Sequence, residues 1–390
     1  MKRSIIRKLA CAALGLTLAA SMSITSFAAD LSSGVAKTSD TSVNINKTLT
    51  VTNPDLSSVD GPGMSYSYSI SSVEPSAANG GTTVTDSDQH TGTVHAGPES
   101  GVTLATSSVT FPIGTAVNAS AQGAKNPKTF TAATDLTKFT APGIYRYKIT
   151  ETPNPADPTT VGVTDTGDRD RFLDVYIENG PTGLVVAGYT LHDRYNNKTD
   201  GFNGGSTGSG QPFTGEAEYV TKNIILEVEV GGNMGDKNNQ FPFAGTVKDN
   251  GRSFYVKKGE APKAQASDLA QGSNTGTSLS TTLAHTEKYY ISGLSQVATV
   301  DYTETNNTPD AYSVSIIGGT PSEASQVAQG SQKTMGVTDV TDSEHVKFTN
   351  VLDSVSPTGV AMRYGLPVIL IALAAALLLM SKRQGSEQGI

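Results

Sequence analysis

Along most of the chain apolar and polar residues alternate with a period of two, the signature of strands that bury one face. Tyr66-x-Tyr68-x-Ile70, Leu173-x-Val175-x-Ile177, Val185-x-Ala187-x-Tyr189-x-Leu191 and Tyr312-x-Val314-x-Ile316 are clear examples. Turn residues punctuate the runs at Asp60-Gly61-Pro62-Gly63, Pro142-Gly143 and Asn179-Gly180-Pro181. Helical periodicity is scarce, and residues 261–270 are expected to make a turn or two. Short strands with regular turn signals predict an all-β chain of tandem Ig-like β-sandwiches. Residues 200–215 are rich in Gly and Ser, and a strong strand over 223–230 follows. The first sandwich is therefore placed at 30–220 and the second at 221–352. A weak internal repeat agrees: Tyr145-x-Tyr147-x-Ile149-Thr150-Glu151-Thr152 is echoed by Val300-x-Tyr302-Thr303-Glu304-Thr305.

The two ends break the alternation. Lys2, Arg3, Arg7 and Lys8 precede an apolar run over 9–20, and Ser26-Phe27-Ala28 fits a small-x-small cleavage site. Residues 1–29 read as a signal peptide, removed on export. At the other end, residues 353–390 hold Pro357-Thr358-Gly359, an apolar run over 366–380, and then Lys382 and Arg383. A span of 366–380 alone is short for a hydrocarbon core of about 30 Å. Counted from Val360 the run is interrupted by one charge, Arg363, which can snorkel to the interface. A transmembrane helix is expected at about 360–380, with the basic tail cytoplasmic and everything upstream outside.

Composition narrows the function. The chain's one cysteine, Cys11, lies in the signal segment, so disulfides cannot brace the exported part. Setting aside the four basic residues of the signal, and three basic residues and one acid of the tail, leaves 21 basic against 35 acidic side chains, a net −14. That balance argues against nucleic-acid binding. His90, His95, His192, His285 and His345 are scattered without metal spacing and read as solvated loop residues. Asp165, Asp168 and Asp170 lack an EF-hand register and also read as a solvated loop. Gly231-Gly232-Asn233-Met234-Gly235-Asp236-Lys237 lacks the ending of a phosphate loop and reads as a turn. No catalytic constellation, metal site or cofactor site is expected.

Charges on core faces carry more. In Val43-Asn44-Ile45-Asn46-Lys47-Thr48-Leu49-Thr50-Val51, Lys47 shares a face with Val43, Ile45, Leu49 and Val51. Glu151 is in phase with Tyr145, Tyr147 and Ile149, Glu304 with Val300 and Tyr302, and Asn350 with Val346 and Phe348. A polar group on a core face costs several kcal/mol unless partnered. Lys47 and Glu151 are therefore expected to lie within hydrogen-bonding reach.

On these residues the chain resembles Gram-positive, streptococcal-type pilin subunits whose domains form an internal Lys–Asn isopeptide bond. The resemblance implies a first-strand lysine attacking a last-strand asparagine, assisted by a mid-domain acid, with ammonia leaving. Burial favours such chemistry by lowering a lysine pKa and raising that of an acid. A bridge over about 100 residues would add about 4 to 5 kcal/mol by loop-closure reasoning. Lys47 and Glu151 match in the first domain, Glu304 and Asn350 in the second. The second domain carries Val228 at the lysine position, so no internal amide is expected there. The first has Phe213-Thr214-Gly215 where Phe-x-Asn is expected. Either Asn203 completes the site or Lys47 and Glu151 form a buried pair.

The C-terminal layout resembles a cell-wall sorting signal, with Ser356-Pro357-Thr358-Gly359 in place of the usual Leu-Pro-x-Thr-Gly. The resemblance implies that a sortase cleaves between Thr358 and Gly359 and joins Thr358 to peptidoglycan or to another pilin subunit, with Lys198 singled out as an acceptor. The expected function is a structural pilin or wall-anchored surface subunit rather than an enzyme. A wall-anchored adhesin binding a host ligand through domain one is the first alternative, an exported enzyme the second.

Overall fold

The computed structural model describes residues 28–354, apart from 87–88, 309, 322–325, 328–330, 338–339 and 341. The cleavage site, the Pro357-Thr358-Gly359 element and the expected span at 360–380 fall wholly or partly outside them. Among the described residues no helix is long and apolar enough to cross a membrane.

The chain is all-β. Its principal strands are β1 (Ser42–Thr52), β2 (Met64–Ser72), β3 (Ala124–Thr134), β4 (Gly143–Asn154), β5 (Asp170–Gly180), β6 (Gly183–His192) and β7 (Ala217–Gly231). They continue with β8 (Phe241–Lys248), β9 (Lys288–Ser295), β10 (Thr299–Thr305), β11 (Tyr312–Ile317), β12 (Gln332–Val337) and β13 (Glu344–Val351). Within 261–270 the only helical turn is a 3₁₀ turn at Ala266–Asp268.

In the first sandwich β1 and β3 form one layer, and β6, β5, β4 and β2, in that order, form the other. Val43, Ile45, Leu49 and Val51 of β1 are fully buried against Tyr66, Tyr147, Ile149, Leu173 and Val175 of the facing layer. The alternation in β6 is broken. Tyr176 pairs with Gly188 but Ile177 pairs with Val186, a bulge that turns Val186 inward and leaves Val185 and Ala187 half-buried.

The second sandwich packs the layer β9–β7–β13–β11 on β8–β10–β12. Ile224, Leu226, Val228 and Val230 meet Phe243, Val300, Tyr302 and Phe348 in its core.

Strand β7 joins the two units without a break. Its first residues run parallel to β1, pairing Ala217 with Leu49 and Val220 with Thr52; from Thr221 it pairs with β9, and from Ile224 with β13. The expected boundary at 220/221 thus falls inside a strand, at the point where its partner changes. Side chains lock the junction. The fully buried Arg252 donates to the Pro62 carbonyl at 2.6 Å and to the Val161 carbonyl at 2.9 Å, and Asp249 neutralises it at 3.0 Å. Asp60 accepts from the Ser253 backbone at 2.8 Å, and Asn53 donates to Thr221 and Asn223 at 2.9 and 3.2 Å. Groups paired across a junction in this way oppose hinging, because each would need a new partner on opening.

Candidate functional site

Lys47 projects from the middle of β1 into the first core, where its phase with Ile45 and Leu49 places it, and its side chain is 2% exposed. Glu151 reaches it from β4 of the opposite layer. Lys47 Nζ lies 3.1 Å from Glu151 Oε1 and 3.0 Å from Asp165 Oδ2, and both carboxylate side chains are 1% exposed. Arg169 spans the two acids, with Nη1 2.6 Å from Glu151 Oε1 and 2.9 Å from Asp165 Oδ2. Tyr66 and Tyr68, successive inward residues of β2, donate their hydroxyls to Asp165 Oδ2 at 2.8 Å and to Glu151 Oε2 at 3.0 Å. The Tyr66 ring also lies 4.1 Å from the ammonium. Two cations, two carboxylates and two phenols thus form a charge-balanced cluster, buried except at Arg169, whose side chain is 28% exposed.

The electrostatics follow from this packing. Burial pushes the Asp165 carboxyl up, but Lys47, Arg169 and the Tyr66 hydroxyl outweigh it and hold the group below its ordinary value. Burial disfavours the charged form of Arg169, yet Asp165 and Glu151 more than compensate and raise it. Burial, then the neighbouring carboxylate, pushes both phenols up, so Tyr66 and Tyr68 act here as donors only.

Asn203 does not complete this cluster. Residues 200–203 run alongside β1, with Asn46 accepting from Phe202 N at 2.8 Å and donating to the Asp200 carbonyl at 3.0 Å. The approach is so close that a Cβ on Gly201 would lie 1.9 Å from the Asn46 carbonyl oxygen. Phe202 takes the inward place at 1% exposure. Asn203, one residue on, faces the strand edge, accepting from Thr48 N at 3.2 Å and donating to Asp200 at 2.8 Å. Its carboxamide serves β1's backbone instead.

Asp165, read from the sequence as a solvated loop residue, is the group that meets Lys47. It follows the short strand Val163–Thr164, which pairs with β7 at Tyr219 and Glu218. Gly215, where an asparagine is expected, has φ +69°, and a Cβ there would lie 2.3 Å from Thr166 Oγ1. The Asp165–Gly167 turn thus packs against the vacated last-strand position and puts Asp165 into the core. The sequence signal that pointed this way is the Tyr66–Tyr68 pair, whose hydroxyls need partners once their rings are buried, together with Arg169 four residues after Asp165.

In the second sandwich Glu304 and Asn350 face one another across the core and are 2% and 0% exposed. Burial lifts the Glu304 carboxyl to about 7, against a smaller downward pull from the Asn350 amide. Neither amide atom of Asn350 reaches ordinary hydrogen-bond geometry among the described residues. The parallel ladder pairs Val230 with Asn350 and Val228 with Phe348, so valines flank the amide on the first strand. One feature escaped the sequence reading. Lys333 is buried in phase with Met335 and Val337 and stands directly opposite Glu304 on the neighbouring strand.

A second buried network also went unread. Arg146 and Asp174, 0% and 1% exposed, form a two-pronged pair at 2.7 Å on each prong, and Arg146 also donates to the Asn79 and Gly81 carbonyls. His192 is fully buried rather than solvated, with Nε2 3.4 Å from Asp174 and Nδ1 donating to the Asp193 carbonyl at 2.7 Å. Among the described residues no group of three or more His, Cys, Asp or Glu side chains has metal-holding geometry.

A domain model, DUF7601, a domain of unknown function, matches residues 222–352. No curated protein matches. Among solved structures the chain is similar to the major pilin of Streptococcus pyogenes, at 18% identity over 80% of this chain and 99% of that one, with a TM-score of 0.43. The T3.2 major pilin of Streptococcus pyogenes gives 16% identity over 82% and 100%, with a TM-score of 0.43. A pilus-presented adhesin gives 18% identity over 49% of this chain and 39% of that chain, with a TM-score of 0.26. Likeness at these scores carries no inference about activity, and the chemistry has to come from the residues.

Proposed function

We propose that the chain is a structural surface protein, a pilus or wall-anchored subunit, exported through its signal peptide and attached by a sortase at Thr358. The observation that carries this reading is the Lys47–Glu151 contact. A first-strand lysine and a mid-domain acid, the pair expected of an internally braced pilin domain, meet inside the core with both side chains at most 2% exposed. The tail supplies the attachment: Pro357-Thr358-Gly359 ahead of an apolar run and a basic stop. In this reading the partners are the sortase, peptidoglycan or other pilin subunits, and the membrane until cleavage. Replacing Thr358 and Gly359 by alanine should leave the protein in the membrane fraction instead of the wall. Equal wall attachment of the variant would overturn the reading.

The adhesin alternative draws on a groove of about 650 Å³ in the first domain, with Val84, Ile144, Tyr176 and Tyr189 among its lining and Lys37 and Lys198 beside them. Aromatic and aliphatic walls with polar groups suit a ligand of mixed character. A host-surface binding assay in which Tyr176→Ala weakens attachment without changing the fold would favour it over the purely structural role.

In the second domain the first strand offers only Ile224, Leu226, Val228 and Val230 to the core. Peptide mapping of the full chain should therefore return the Asn350 peptide at its sequence mass. A deficit of one ammonia would refute this and point to Lys333, across the ladder from Glu304, as the amine.

A further inference from the structure

We propose that the strand Thr277–Leu283 of the second sandwich is a pairing edge for a second copy of this chain. The two copies join antiparallel about a two-fold axis, so that two sheets become one. Such a contact is non-covalent and independent of any sortase, and it holds neighbouring copies side by side on a surface.

The strand closes the layer of β8, β10 and β12. It pairs with β8 from Phe241–Leu283 to Val247–Thr277, and among the described residues no strand pairs with its other side. Every second residue there turns a backbone N–H and C=O outward, a template for another strand. Folded proteins guard such edges with lysine, proline or very short strands, and elsewhere this chain does so. The outer side of β3 meets the strand Val102–Leu104 only at Ala132–Thr134, and its open part carries Lys125, Pro127 and Lys128. The other ends of the second sandwich's sheets close on two-residue strands, Leu269–Ala270, Thr320–Pro321 and Gln326–Val327. Thr277–Leu283 has seven residues, no charge and no proline. It is long and unguarded.

Charge and symmetry name the occupant. The exported part of the chain is net −14, so two copies repel across most of their surfaces. An uncharged strip is where they can touch. The strand is also self-complementary. In the two-fold register that uses its whole length, Ser280 meets Ser280 of the second copy, Ser278 meets Thr282, and Leu279 meets Thr281. Ser278, Ser280 and Thr282 are exposed on one face, so hydroxyls meet hydroxyls there. The half-buried Leu279 and Thr281 meet on the other face. Their neighbours on β8 across from Ser280 and Ser278 are Ala244 and Thr246, which add little bulk beside the edge.

The test is sedimentation of the mature chain over a range of concentrations, where a monomer–dimer equilibrium is expected. Ser280→Glu sets like charges opposite one another across the axis and should weaken the dimer roughly fivefold. Its unfolding midpoint should stay unchanged, because the position is exposed. Added salt should tighten the parent dimer by screening the acidic surfaces. Loosening with salt would indicate pairing between charges and overturn the proposal. Ser280→Cys gives a second readout, since the exported part carries no other cysteine. Opposed Cα atoms in an antiparallel pair lie about 4.5 to 5.5 Å apart, within disulfide reach. Mild oxidation should lock this variant as a covalent dimer, while Ser71→Cys, exposed on the first domain, stays monomeric. A parent that sediments as a monomer at every concentration would overturn the proposal and leave the edge to an extended peptide of another protein. A dimer that Ser280→Glu does not weaken and Ser280→Cys does not lock would overturn it equally, by placing the contact elsewhere.

Discussion

Lys47→Ala is expected to destabilise the first sandwich by roughly 3 to 5 kcal/mol, the usual cost of removing one partner from a buried charge pair. The reason is local. Glu151 and Asp165 are both sealed, and without the ammonium they share Arg169 as the single cation bonded to both. Like-charged carboxylates competing for one guanidinium must either take up a proton or draw in water, and each route costs stability. Lys128 provides the control, since it pairs with Lys47 in the β1–β3 ladder yet is exposed. Lys128→Ala should cost under about 1 kcal/mol. Denaturant unfolding of the two variants, followed by a first-domain tyrosine signal, measures both. Equal and small effects would show that the cluster adds nothing to stability.

Glu304 should make the second sandwich less stable as pH rises. Its carboxyl sits at about 7 in the folded chain against an ordinary 4.5. Between those values the native state holds a proton that the unfolded state has lost, so ν_U − ν_N is negative and stability falls with increasing pH. The loss begins above 4.5, is complete a little above 7, and integrates to roughly 3 kcal/mol. Glu304→Gln keeps the shape and an amide able to face Asn350, but cannot ionise. The variant should lose this slope and exceed the parent in stability by about 2 to 3 kcal/mol at pH 8, while the two converge near pH 4. Denaturant midpoints measured across that range give the difference directly. Parallel curves for parent and variant would mean that the carboxyl is not held neutral by burial.

The two sandwiches thus treat the same kind of position differently. In the first, cations surround the acids and keep Asp165 ionised. In the second, the first strand offers only aliphatic side chains, and burial outweighs the Asn350 amide in setting the Glu304 carboxyl.

The sequence by itself determined the strand class and the core faces of β1 and β4. Strand alternation placed Lys47 and Glu151 on core faces because side-chain direction has a strict period of two, and a charge there demands a partner. Three things were decided only by the tertiary structure. Asp165 enters the core because a turn fills the space left by Gly215, a contact between segments 49 residues apart that no local pattern records. Asn203 is diverted because residues 200–203 run along the open edge of β1 and the backbone there claims the carboxamide. Arg146 and Asp174 drew no reading from the sequence and His192 read as a solvated loop residue, yet they bury one another because β4, β5 and β6 are neighbours in one sheet. Period and phase say which way a side chain points; which group it meets depends on distant segments arriving at the same place, and that is fixed only when the sheets close.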